Sequence, residues 1–302
     1  MGTPEFAGPS LKKLHSAHDI VCVVTGPDRP SGRGQRLRPS AVKLLALELG
    51  LPVQQPEKLN DPAFIAHLRN LRADLYAVVA FRILPPEVFT LPPLGTVNLH
   101  ASLLPALRGA APIQWAVING CERTGVTTFL IEQKVDTGEI LLQRPVPIGP
   151  ETTAGELHDE LARKGADLLH ESASGLGRGA LVSVPQRGEV TRAPKITPEM
   201  CRIDWSADAQ RVHNLVRGLS PAPGARTKLG DTVLKILRTR SGPDRTGAVP
   251  GTVIEMAGDG ALRVAAGRGT VELLQVQPGG GRIMTMAEYS RGHPLKPGER
   301  FS

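Results

Sequence analysis

Asn98 and His100 lie two residues apart in Thr96-Val97-Asn98-Leu99-His100, where polar and apolar residues alternate. The alternation predicts a strand, and side chains two apart on a strand share a face. An amide and an imidazole therefore project together, while Val97 and Leu99 point the other way into a core. The strand gives way to a loop at Ser102-Leu103-Leu104-Pro105, followed by Arg108-Gly109 and, further on, by Asp136-Thr137-Gly138. A carboxamide donor beside an imidazole at a strand's end is suited to stabilising an oxyanion and moving a proton. Each residue also has an ordinary reading. A lone histidine is commonly a satisfied core residue, and Asp136 by itself reads as a turn-former.

The elements that must hold these residues alternate in type. Asp19 to Thr25 reads as a buried strand, Ser40 to Leu49 and Pro62 to Leu71 as helices, and Leu75 to Ala80 as a strand. Pro85 to Leu91 is a short helix, Thr96 to His100 a strand, and Pro112 to Asn119 a helix in which Ile113 and Trp115 pack. Val126 to Glu132 and Ile140 to Val146 are strands, and Thr153 to about Ser174 is a helix opened by a Thr153/Glu156 capping box. Such alternation predicts an α/β architecture with an open, mostly parallel sheet, whose ligands sit at the carboxyl ends of strands. The Pro- and Gly-bearing stretch 183–203 reads as an extended linker. Beyond it, after a helix from Ala207 to Leu219, short strands at 233–237, 252–256, 261–264 and 270–276 are separated by Gly turns, which suggests a small β-barrel. The expected division is 1–182, a linker at 183–203, and 204–302.

Charge follows the same division. The net charge is +7 over 302 residues. Residues 1–180 hold eighteen Lys and Arg against eighteen Asp and Glu, and residues 181–302 hold eighteen against eleven, so the whole excess lies in the last part. A basic second domain points to a polyanionic partner. No apolar run approaches the ~20 residues needed to span a bilayer, so no membrane role is expected. Three widely spaced cysteines form neither a zinc pattern nor a disulfide framework. The histidines at 15, 18, 67, 158, 170, 213 and 293 show no ligand spacing, and no metal is expected. The segment Pro27 to Pro39 carries four Arg among Gly and Pro, including Arg29, Arg33 and Arg36. It reads as a mobile loop rather than a regular element. It lacks the spacing of a phosphate loop, but it could grip a phosphate backbone.

Taken together, Asn98-x-His100, Ser102-Leu-Leu-Pro105, Arg108-Gly-Ala-Ala-Pro-Ile-Gln114 and Asp136-Thr-Gly138 resemble the signature of the folate-dependent formyltransferases. Met1-Gly-Thr-Pro-Glu-Phe6, the Pro27 to Gly34 segment, Ile203-Asp-Trp-Ser206 and Pro221-Ala-Pro-Gly-Ala225 extend the resemblance to the methionyl-tRNA formyltransferase family over nearly the whole chain. The resemblance implies a Rossmann-like catalytic domain and a C-terminal OB-like barrel that binds tRNA. It implies transfer of a formyl group from 10-formyltetrahydrofolate, the donor co-substrate, to methionyl initiator tRNA in translation initiation. It further implies Asn98, His100 and Asp136 as catalytic residues. Ser102, Leu103, Leu104 and Pro105 would line the folate site, and Arg33, with Arg29 and Arg36, would meet the tRNA acceptor end. The setting implied is a monomer in the bacterial cytoplasm.

Two departures from the family pattern stand out. The chain begins where the family has already run through a short apolar strand, so a sheet lacking its first strand, with a gap or exposed edges, is expected, as from a start assigned too late. Phe81-Arg82 replaces the usual Tyr-Gly beside the folate site, which would reshape that loop. Three alternatives share the central residues: a sugar-nucleotide formyltransferase, a formyltetrahydrofolate hydrolase, and a tRNA-binding protein without activity.

Overall fold

A computed structural model describes the chain except for residues 32–35 and 243–246. The chain divides into two units. The first comprises Met1–Pro112, Thr124–Pro147 and His158–Ala193, and the second Ile113–Arg123, Ile148–Leu157 and Pro194–Ser302. The 183–203 stretch is thus shared: residues up to Ala193 pack with the first unit and those from Pro194 with the second.

The first unit opens with α1 (Gly8–His15), β1 (Val23–Val24), β2 (Arg29–Ser31), β3 (Arg36–Arg38), α2 (Ala41–Glu48) and β4 (Val53–Gln54). It continues through α3 (Pro62–Asn70), β5 (Tyr76–Val79), α4 (Pro86–Phe89) and β6 (Thr96–His100). After α5 (Pro112–Ile118), which from Ile113 belongs to the second unit, come β7 (Arg123–Leu130), β8 (Ile140–Pro147) and α6 (Ala154–Gly177), whose first turn also belongs to the second unit. Local chemistry sets several boundaries. The Ser40 hydroxyl accepts the Lys43 N–H at 3.0 Å and meets the Thr25 hydroxyl at 2.7 Å, so it caps α2 and ties it to the end of β1. Asp61 caps α3, with Pro62 at its first turn.

β1 pairs with β4 and β5 with β6, both in parallel, while β7 runs antiparallel to β6 with β8 beyond it. Met1 and Gly2 stand between β1 and β5. Gly2 N–H donates to the Val24 carbonyl at 3.0 Å, and Val79 N–H to the Met1 carbonyl at 2.9 Å. The gap expected in the sheet opens beside Met1 as a cavity of about 720 Å³. Ile20 and Cys22 line one side and Leu75 and Ala77 the other. Of the strand expected over Asp19 to Thr25, only Val23–Val24 is paired as a strand.

Two expectations need correction. The described parts of the Arg-rich segment are not irregular, since β2 and β3 pair antiparallel with Arg29 opposite Arg38. α6 does not end before Gly175 but runs through Gly177, and Leu181 packs on Gly175. Helix propensity disfavours glycine there by only about 1 kcal/mol, and packing overrides it.

The second unit contains α7 (Ala209–Leu219), β9 (Ala225–Leu229), β10 (Thr232–Gly242), β11 (Val253–Met256), β12 (Leu262–Ala265), β13 (Thr270–Pro278), β14 (Met284–Thr285) and α8 (Met286–Gly292). The order β11-β12-β13-β10-β9, with β14 on β13, is an antiparallel sheet. The chain's last residues join its two edges. Lys228 and Ser302 exchange backbone hydrogen bonds of 2.9 Å, and Phe301 N–H donates to the Gly251 carbonyl at 2.9 Å. These bonds cover part of each edge, an arrangement compatible with an OB-like fold. Trp205, Val216, Ile236, Leu273 and Phe301 fill the core, and the Trp205 indole N–H reaches the Thr227 hydroxyl at 2.9 Å. α8 carries a capping box between Thr285 and Glu288.

Candidate active site

β6 presents Asn98 and His100 on one face, as the alternation requires, and registers Asn98 opposite Phe129 and His100 opposite Thr127 of β7. His100 is buried, whereas Asn98 is half-buried. Nε2 of His100 lies 3.0 Å from the Leu107 carbonyl, which only accepts, so Nε2 carries hydrogen. Nδ1 then faces the Asp136 carboxylate, with Oδ1 at 3.8 Å. Nδ1 is thus the ring nitrogen left available for proton exchange, on the side of the carboxylate.

Asp136 is held as closely as the histidine. Its Oδ2 accepts the Gly109 N–H at 2.9 Å. Its backbone is left-handed, with φ 56°. Gly138 lies so near β7 that a Cβ there would sit 1.7 Å from the Leu130 carbonyl oxygen. Only glycine permits that approach, which brings the Asp136 turn against the strand beside β6.

The loop after β6 is built largely for support. The Ser102 hydroxyl donates to the Ala106 carbonyl at 2.6 Å, and the Ser102 carbonyl accepts from Thr127 Oγ1 at 2.6 Å. Leu104 N–H donates to Thr127 Oγ1 at 3.1 Å, and Gln143 Nε2 donates to the Leu104 carbonyl at 2.9 Å. The Leu104 side chain packs with Phe129 and Ile140, Pro105 is buried, and Leu103 is half-buried. Neither Thr127 nor Gln143 belongs to a motif that spacing alone would single out. Gln186, described below, was likewise missed, because its segment reads as linker.

Other expected residues fall outside this cluster. Arg29 is exposed on β2, and Arg36 contributes backbone to β3. Arg33 lies outside the described residues. The Arg82 guanidinium donates to the carbonyls of Pro56 (2.7 Å) and Glu57 (2.9 Å) and lies over Phe81. It is therefore tied to the 56–57 segment by its own chain. Among the described residues no group of three or more His, Cys, Asp or Glu is placed to hold a metal ion. His18 and His170 pair at 3.0 Å without a third ligand.

Comparison with known proteins matches residues 1–172 to the formyl transferase family and residues 195–294 to the formyl transferase C-terminal domain. The methionyl-tRNA formyltransferase of Heliobacterium modesticaldum is 46% identical over 312 residues, covering 100% of this chain and 98% of that protein. That of Methylobacterium sp. is 47% identical, covering 100% and 98%. The chain belongs to the methionyl-tRNA formyltransferase family. More distant solved structures share the fold. An N-formyltransferase from Helicobacter canadensis, in complex with folinic acid and dTDP-3-aminofucose, has a TM-score of 0.65 at 18% identity, covering 90% of this chain and 97% of that one. HypX from Aquifex aeolicus, in complex with tetrahydrofolic acid, has 0.61 at 19%, covering 85% and 47%. In this family member, the Asp136 turn approaches His100, 36 residues away in sequence, on the β6 face that also carries Asn98.

Proposed function

We propose that this protein transfers the formyl group of 10-formyltetrahydrofolate to the amino group of methionyl initiator tRNA. The observation that carries the reading is the buried His100, set between the Leu107 carbonyl and the Asp136 carboxylate, on a strand that also presents Asn98. Relatives named methionyl-tRNA formyltransferase, matched over 98% of their length, support the choice of reaction.

The amine lone pair adds to the formyl carbon and its carbonyl electrons move to oxygen. Collapse of that intermediate breaks the bond to N10 of the folate. The attacking nitrogen loses one proton and N10 gains one. Asn98 donates its amide N–H to the oxyanion, an interaction worth ~10²–10³ in rate for a single donor. His100 offers Nδ1, on the side of Asp136, as the site through which the proton passes from the attacking nitrogen towards N10. Ser102 and Leu104 act on the folate side through the shape of their loop, since their side chains are already engaged, while Leu103 and Pro105 form its apolar wall. Arg29 and Arg36, with Arg33, meet the acceptor end of the tRNA. The protein acts as a monomer in the bacterial cytoplasm; no described helix is long and apolar enough to cross a membrane.

The deciding assay measures formyl transfer from 10-formyltetrahydrofolate to methionyl initiator tRNA by the parent and by His100→Ala. Transfer by the parent and its loss in the variant is the expected result. Transfer to a dTDP-amino sugar instead, or release of free formate without transfer, would overturn the reading.

A further inference from the structure

We propose that Gln186 is a positioning residue for this reaction, acting through Asp136. The proposal rests on the formyl-transfer reading above. Its Nε2 donates to the Asp136 carbonyl at 3.0 Å and to the Gly138 carbonyl at 2.8 Å. Its Oε1 accepts from Arg108 Nη2 at 2.6 Å. One carboxamide thus spans the two loops that meet at His100, the loop after β6 and the turn after β7. All three of its polar positions are used on them.

The neighbouring residues lay the same segment along the first of these loops. Leu107 N–H donates to Thr191 Oγ1 at 2.9 Å, and Arg108 N–H to the Thr191 carbonyl at 3.0 Å. Ala193 N–H donates to the Arg108 carbonyl at 2.7 Å, and Ala111 N–H to the Ala193 carbonyl at 3.1 Å. Val184 and Ile140 exchange hydrogen bonds at the start of β8. Residues 184–193 therefore form a strap. Thr191 holds Leu107, whose carbonyl takes the His100 Nε2 hydrogen. Gln186 holds the Asp136 turn, whose carboxylate faces His100 Nδ1. The imidazole is braced on both sides by one segment, and catalytic geometry of this kind is sensitive to shifts of about 1 Å.

The strap has no other evident reason to carry an amide at this position. The Asp136 turn presents two carbonyls, those of Asp136 and Gly138, to one donor group, and an amide nitrogen has the two hydrogens they take. Leucine fills a similar volume without donating, and glutamate adds a charge that repels both carbonyls while keeping the Arg108 contact.

The test uses Gln186→Leu and Gln186→Glu in the full chain, with thermal unfolding alongside. In Gln186→Leu, kcat falls about tenfold or more while KM for the tRNA and for the folate stays within about twofold, and Tm shifts little. Gln186→Glu falls at least as far, because restoring the Arg108 contact alone does not rescue the turn. In an Asp136→Asn background the Gln186→Leu change has little further effect on residual transfer, since the residue acts through Asp136. Histidine ring NMR of the protein without substrate, assigned with His100→Ala, gives a readout independent of turnover. Asp136→Asn and Gln186→Leu both displace the His100 ring signals in the same sense. Unchanged His100 signals together with an unchanged kcat would overturn the proposal, as would an equal loss in the Asp136→Asn background. If the parent moves no formyl group to tRNA yet the ring signals respond as stated, the reaction assignment fails and the positioning of Asp136 by Gln186 stands.

Discussion

His100 and Leu107 are joined by a 3.0 Å hydrogen bond from imidazole Nε2 to a backbone carbonyl. The bond fixes which ring nitrogen remains for proton exchange, because a carbonyl offers no hydrogen. Asp136 faces that remaining nitrogen. His100→Ala is therefore expected to lower kcat by ~10²–10⁴, the usual range for loss of a positioned acid–base group. Asp136→Asn keeps the shape and the Gly109 contact but removes the charge, and it is expected to cost ~10–10³ in kcat with both KM values nearly unchanged. Steady-state assays of both variants decide this; a variant that affects KM alone would assign the residue to binding.

Gly138→Ala tests how the turn is packed. The added methyl meets the Leu130 carbonyl oxygen at 1.7 Å and its carbon at 2.9 Å, both backbone atoms of β7. Neither side yields by a rotamer change, so the turn must move away from the strand. A loss of about 2–4 kcal/mol in urea unfolding is expected, together with reduced activity per folded molecule, because Asp136 moves with the turn. A loss below ~1 kcal/mol would show that the turn relaxes freely.

What the sequence disclosed and what it hid divide along a physical line. β6 was legible to the residue because strict alternation and an apolar opposite face are local signals. The helix expected over 207–219 forms as α7 from Ala209, and its start was misplaced because Asp208 lies outside it as the cap, accepting the Arg211 N–H at 2.7 Å. The strap was not legible, since its composition of Pro and Gly excludes helix without excluding pairing. Gln186 finds Arg108 from 78 positions away, a contact that no window along the chain contains. The pairing of β2 with β3 was hidden in the same way, in a stretch whose Gly and Pro disfavour strands.

Arg29 gives the tRNA side a direct test. It is exposed on β2 opposite Arg38, with no place in the core. Arg29→Ala is expected to raise KM for methionyl initiator tRNA a few-fold, leave kcat nearly unchanged, and flatten the salt dependence of kcat/KM by about one unit of slope. A salt slope equal to the parent's would remove Arg29 from the tRNA interface.

In a polypeptide that begins at Met1, the terminal ammonium lies beside the cavity between β1 and β5 and donates to the Ala77 carbonyl at 2.6 Å. Burial pushes it from 8.0 down to about 6, opposed in part by the nearby Cys22. Between those values the unfolded chain binds more protons than the folded one. Stability therefore rises with pH across this window and is lost as pH falls from about 8 towards 6, by roughly 2–3 kcal/mol from this group. Histidines titrate over the same range, so the measurement is a difference. Urea unfolding at both ends of the window is compared between this chain and one extended on the amino side of Met1 by a few Val or Ile residues. The extension replaces the ammonium with an amide that keeps the Ala77 bond, and its side chains occupy the cavity walled by Ile20, Cys22, Leu75 and Ala77. The extended chain is expected to lose this part of the pH dependence and to gain a further ~1–3 kcal/mol for each side chain fully buried. Equal pH slopes in the two chains would mean that water reaches the ammonium, and equal stability at the upper pH would mean that the cavity accepts no strand.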